Sequence, residues 1–150
     1  MQAWRIVRDL YPILDGQGAA EYGGRWNTSG RAVIYAGASF AIAVLERLVY
    51  LPTGRIPANQ VWAAIDIPDR VRVEIVEPRD VPHWDDPDQQ ASRRFGDAWL
   101  DSLRTAVLLV PSAVTKIDRN VLINPNHPDF GAITADPPQP VGWDGRPFVR

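Results

Sequence analysis

The chain has 150 residues, 45% of them hydrophobic and 23% charged, which predicts one globular domain with a real core. A formal net charge of −2 removes any general electrostatic case for nucleic acid or a membrane surface as the main partner. The absence of cysteine excludes disulfides and thiolate metal sites, and it accords with a reducing compartment.

The first residues, MQAWRIVRDL, lack the apolar core of a signal peptide, and no apolar run reaches membrane-spanning length. A cytoplasmic location is the expectation. Ala3–Val7 reads as a short strand, and the chain from there to Asn27 as loop or irregular helix. RAVIYA (Arg31–Ala36) is rich in β-formers and reads as a strand. SFAIAVLERLVYL follows, with Ser39 as a helix N-cap and a stop before Pro52. QVWAAIDIP and RVRVEIVEP alternate and end at Pro68 and Pro78, which predicts two strands. DVPHWDDPDQQ reads as an acidic, proline-containing loop. A second helix is predicted from Asp88 to Leu103, with Phe95, Trp99 and Leu103 on one face. TAVLLVPSAV reads as a buried strand ending at Pro111–Ser112, NVLINPNHPDF as a strand and turn, and AITA as a further strand. The tail from Asp136 is too rich in proline and glycine to assign. Strands outnumber helices and the helices lie between them, which makes a mixed α+β domain spanning residues 1–150.

One stretch asks for more than a turn. AEYGGRWNTSGRAVIYAG (Ala20–Gly37) sets Tyr22, Arg25, Trp26, Asn27 and Arg31 among glycines. Glycines let a backbone approach a ligand and expose its N–H groups, and arginine grips phosphate or carboxylate through paired hydrogen bonds. An anion-binding loop is one reading; a surface arginine capping nearby carbonyls is the other. Glu46 lies in an apolar helix, where it either marks the solvent stripe or serves a cleft. Arg5, inside WRIV, faces solvent or lines a cleft. Tyr35 and Ser112 sit at strand ends, where tyrosine packs and serine is an ordinary turn residue. His83 and His127 are a weak metal signal without a third clustered ligand, and no metal is expected.

In order, WRIV, GGRWNTSGRAVIYAG, AIAVLERLVY, VPSAV and NVLINPNHPDF resemble the RES domain family, named for its Arg, Glu and Ser. The resemblance covers residues 4 to 130. It implies a fold similar to the ADP-ribosyltransferases, with central mixed or antiparallel sheets and flanking helices. It also implies a toxin of a bacterial toxin–antitoxin pair that takes NAD+ as substrate, with no separate bound cofactor. By position, the namesake residues fall on Arg25, Glu46 and Ser112, with Arg5 and Tyr35 at matching cleft positions. On that reading Arg25 and Arg5 hold the pyrophosphate, and Tyr35 packs against the nicotinamide or its ribose. Glu46 stabilises the cation that forms on the ribose. Ser112 orients the nicotinamide amide or ribose and is not a nucleophile. The implied partner is an Xre-type helix-turn-helix antitoxin, which would carry the DNA contact; self-association stays open.

Two competing readings belong to other classes. One is a non-catalytic domain using the glycine–arginine loop to hold an anion or a partner. The other is a ribonuclease toxin working with His83 and His127 as an acid–base pair.

Overall fold

The computed structural model describes residues 1–51 and 55–146. Pro52, expected to stop the first long helix, lies outside the described residues, as do the last four residues of the tail. The described residues form β1 (Gln2–Arg8), α1 (Gln17–Tyr22), β2 (Ile34–Gly37), α2 (Phe40–Val49), β3 (Gln60–Asp66) and β4 (Val73–Ile75). They continue with α3 (Gln90–Ser102), β5 (Val107–Pro111), β6 (Arg119–Ile123), β7 (Thr134–Ala135) and β8 (Gln139–Pro140). Short 3₁₀ turns occupy Pro78–Asp80 and Pro128–Ala132.

All eight strands join one sheet in the order β4-β5-β6-β2-β1-β3-β7, with β8 also pairing β3. Only β4 and β5 run parallel; the other pairs are antiparallel. The mixed α+β class read from the sequence is what the chain adopts.

Successive strand residues point to opposite faces, and the two faces build two cores. In β5 and β6, Val107, Val121 and Ile123 join a cluster with Ile34, Ala63 and Ile65. Their neighbours Leu108, Val110 and Leu122 join Trp26, Trp84 and Trp99 on the opposite side. The second core is roofed by α3 and the glycine loop. There Trp26 stacks on Trp84 with centroids 6.2 Å apart and meets Phe95 edge-on at 6.3 Å.

Three elements depart from their expected limits. β2 starts at Ile34 because Arg31 belongs to the loop: its carbonyl accepts from Asn27 Nδ2 at 3.0 Å, and its guanidinium grips Asp101 at 2.9 and 2.8 Å. β4 is short because Val71 N donates to Pro68 O at 2.9 Å, closing a turn over the residues expected to extend. Leu103 does not join the face of Phe95 and Trp99. It ends α3 in the left-handed region at φ 51° and points outward, 42% exposed.

α2 starts as its sequence predicts, with Ser39 Oγ accepting from Ile42 N at 3.2 Å. Its first turn lies almost backbone to backbone on β2. A Cβ on Gly37 would stand 2.7 Å from Ala43 N, so a side chain there would lift the helix. One turn beyond Ala43, the helix delivers Glu46 to β6, whose Asn120 pairs with Gly37 across the sheet.

Candidate active site

A cleft of about 640 Å³ opens between the glycine loop, α2 and the strands β1, β2 and β6. Small-molecule sites commonly hold about 300–1,000 Å³, so the space suits a ligand of coenzyme size. Glu46 is the carboxylate in its wall, and Arg5, Arg25, Arg47 and Arg93 are its cations. Tyr22 and Tyr50 stand at its rim, 77% and 72% exposed.

Glu46 is held from below. Ser112 Oγ donates to its Oε1 at 2.7 Å, and Asn120 Nδ2 donates to the same oxygen at 2.7 Å. Its Oε2 has no hydrogen-bond partner among the described residues. Thus α2 supplies the acid and the sheet fixes it. Glu46 therefore stands in the wall of a cleft.

The four arginines come from four places. Arg5 of β1 donates through Nη1 to the carbonyls of Ile13 and Asp15, the latter at 2.8 Å. Burial lowers its pKa to about 10, with Asp15 opposing that shift and Arg47 adding to it. Arg25 donates through Nη1 to Trp84 O at 3.2 Å and Asp86 O at 3.3 Å, so the loop before α3 steadies it. Arg47 bonds Gln60 Oε1 at 2.8 Å, and burial followed by the charge of Arg8 lowers its pKa. Arg93 reaches Gly24 O through Nε at 2.8 Å. Among the described residues none of the four makes an ion pair. Against the one carboxylate of Glu46, the four guanidiniums leave the cleft an excess of positive charge, which favours an anion.

The glycine loop works differently from the expectation of exposed backbone N–H groups. Gly23 N bonds Ala19 O at 2.9 Å and Gly24 N bonds Asn27 O at 3.0 Å. Trp26 N donates to Tyr35 Oη at 3.0 Å. These amides are occupied in holding the loop, and the positive charge for a ligand comes from side chains. Asn27 is the centre of the stitching: its buried Nδ2 reaches Ala19 O at 2.8 Å and Arg31 O at 3.0 Å, while its Oδ1 accepts from Tyr35 Oη at 2.8 Å.

Tyr35 lines the cleft, but its hydroxyl is fully engaged with Trp26 and Asn27, and burial raises its pKa well above the usual tyrosine value. Only its ring is available to a ligand. Ser112 needs a correction of role. It is fully buried and absent from the cleft wall, and its Oγ accepts from Val114 N and Thr115 N, both at 3.2 Å, while donating to Glu46. Its contact is with the acid, from behind the cleft wall. Arg31 is committed to Asp101 and lies outside the cleft wall.

Neither histidine lines the cleft. His83 is exposed beside Asp86 at 3.3 Å, and His127 Nδ1 accepts from Asp129 N at 3.0 Å, capping a 3₁₀ turn. Among the described residues no cluster of His, Cys, Asp and Glu could hold a metal, and no helix is long and apolar enough to cross a membrane. Sequence reasoning missed Arg47, Arg93 and Asn120. The first two stand on helices, where arginine ordinarily means a solvated face; Asn120 carries no local signal inside its strand.

Known proteins resemble this chain in sequence and in fold. A Prs ADP-ribosylating toxin of Sphingobium sp. (strain YBL2) is 43% identical over 140 residues, covering 88% of this chain and 87% of that protein. A Toxin Res of Yersinia enterocolitica is 37% identical over 134 residues, covering 87% of this chain and 88% of its own. Among solved structures, the M. tuberculosis MbcT–MbcA toxin–antitoxin complex contains a chain of the same fold. It superposes with a TM-score of 0.71 at 18% identity, over 92% of this chain and 82% of that one. The RES domain itself matches residues 2–144, a span that takes in the glycine loop, the glutamate helix and the strands beneath them. The chain belongs to the RES domain family.

Proposed function

We propose that the protein is a toxin of a toxin–antitoxin pair, and that it binds NAD+ in this cleft and breaks the nicotinamide–ribose bond. One observation carries the reading: a single fixed carboxylate, one oxygen unpaired, stands in a cleft otherwise charged by four arginines. The arginines suit the dinucleotide's pyrophosphate, with Arg25 and Arg5 as the first candidates. The ring of Tyr35 offers a wall to the nicotinamide or its ribose.

Nicotinamide bound to ribose already carries a positive charge and leaves with the bonding electron pair as a neutral molecule. It needs no proton. The barrier lies in the cation that develops at the ribose carbon, as in glycoside cleavage. Glu46 Oε2 can accept a hydrogen bond from a ribose hydroxyl and face that charge, an interaction that strengthens as the bond opens. The nucleophile that captures the ribose then loses its proton. Water gives ADP-ribose, phosphate gives its phosphorylated form, and a protein side chain becomes modified. The name of the Sphingobium relative, a Prs ADP-ribosylating toxin, supports transfer of the ADP-ribosyl unit as one such route. The toxin–antitoxin complex among the fold relatives supports an antitoxin as partner, and the helix-turn-helix type is part of the proposal.

The test is incubation of purified protein with NAD+, with and without phosphate, following nicotinamide by chromatography. Glu46→Gln should keep the fold and lower nicotinamide release at least about 100-fold, as loss of an electrostatic group in an active site does. Release at the wild-type rate by that variant would remove Glu46 from the chemistry. No release by folded wild-type protein, supplied with protein acceptors, would leave the anion-binding domain as the reading.

A further inference from the structure

Asn120 makes a hydrogen bond that its place in the sequence does not suggest, and the cost is visible in its own side chain. Its Nδ2 donates to Glu46 Oε1 at 2.7 Å, while its Oδ1 is buried with no hydrogen-bond partner among the described residues. A buried carbonyl without a donor costs stability, and such an atom in a folded protein asks for a reason.

The reason lies in the geometry of the amide. Turned over, Asn120 would fill the same space but set its oxygen against Glu46 Oε1, acceptor to acceptor. The observed orientation is the one a carboxylate selects, and it leaves the carbonyl stranded. Ser112 makes the same demand from the end of β5. Backbone N–H groups of Val114 and Thr115 occupy its lone pairs, so its proton is directed at Glu46. Two donors, one from β6 and one just past the end of β5, therefore meet on one oxygen. A carboxylate fixed at one oxygen from two directions cannot swing about the end of its side chain.

We infer that Asn120 is a positioning residue that, with Ser112, fixes which oxygen of Glu46 is offered to the ligand. It stands in the cleft wall beside Glu46 and acts through the acid. Its kinetic consequence rests on the NAD+ reading above; its structural consequence does not.

Asn120→Asp separates the two. The variant places a second carboxylate beside Glu46, and such a pair shares one proton, raising the folded-state pKa of the pair above the unfolded values. Stability is then retained at low pH and lost as pH rises through the raised value. Asn120→Asp should thus melt below wild type at pH 7 and approach it near pH 4, about where unperturbed carboxylates titrate. Combining it with Glu46→Gln leaves a single carboxylate at the site and removes the repulsion, so the double variant should regain part of the melting temperature at pH 7. Nicotinamide release should stay lost, because the carboxylate now stands on the strand. In the single variant the acidic limb of the kcat profile should move to higher pH, as a second carboxylate beside the first requires. Asn120→Ala should lower kcat far more than it raises KM for NAD+.

Equal melting of Asn120→Asp and wild type at pH 7, or no recovery in the double variant, would overturn the inference. So would an unchanged kcat in an active Asn120→Ala. If wild type itself releases no nicotinamide, the NAD+ reading fails, while the melting experiments still decide whether Asn120 holds Glu46.

Discussion

Arg25 is legible in the sequence alone, because a guanidinium beside a glycine pair and a tryptophan makes an unusual loop. Its surroundings are not. The carbonyls of Trp84 and Asp86 that steady it lie 59 and 61 positions further along the chain. Ser112 is legible as a residue and misleading as a role, since only the fold shows that its hydroxyl is committed to Glu46. Arg47 and Arg93 escape notice for a simpler reason: an arginine on a helix reads the same whether its face meets water or a ligand. Arg25→Ala should raise the dissociation constant for NAD+ by about 10- to 100-fold, the loss of one charge-assisted contact. Arg94→Ala, next to Arg93 but exposed and outside the cleft wall, should leave it unchanged. Isothermal titration of both variants checks this, and equal affinities would remove Arg25 from the site.

Among the elements, α2 is the most legible. Ser39 announces its start, and its apolar run is long enough to fix the register. AITA reads as a strand and supplies β7, whereas β8 is the least legible, because its two residues lie in the proline-rich tail and exist as a strand only through pairing with β3. α3 is readable by periodicity, but what it holds down is not. A Cβ on its buried Gly96 would fall 1.7 Å from Trp26 O, so the helix and the glycine loop meet backbone to backbone. In an exposed helix interior, glycine to alanine gains about 1 kcal/mol. At Gly96 the sign should reverse. Gly96→Ala must push the loop away, costing about 1–3 kcal/mol net, and should lower the melting temperature by about 5 °C or more. Thermal unfolding followed by circular dichroism reads this directly, and a melting point at or above wild type would show that the loop yields freely.

For the whole molecule, charge count and charge placement give opposite advice. A net charge of −2 predicts weak repulsion of an anionic dinucleotide, whereas four arginines around one cleft predict attraction. At physiological salt the screening length is about 8 Å, so the nearby arginines outweigh acids elsewhere on the surface. Affinity for NAD+ should therefore fall by several-fold as sodium chloride rises from about 0.05 to 0.5 M. Fluorescence titration across that range would show it; affinity that rises with salt would mean the net charge governs.

Those same arginines bear on how long the protein lasts. Four like charges set around one carboxylate leave an excess that opposes the folded state, and a ligand that neutralises it adds stability that grows with the logarithm of its concentration. On the proposed reading the ligand is also what the protein consumes. As it depletes the pool, the occupied fraction shrinks and the empty form, more open to unfolding and proteolysis, takes over. A toxin built this way carries a brake on itself, set by the metabolite it removes.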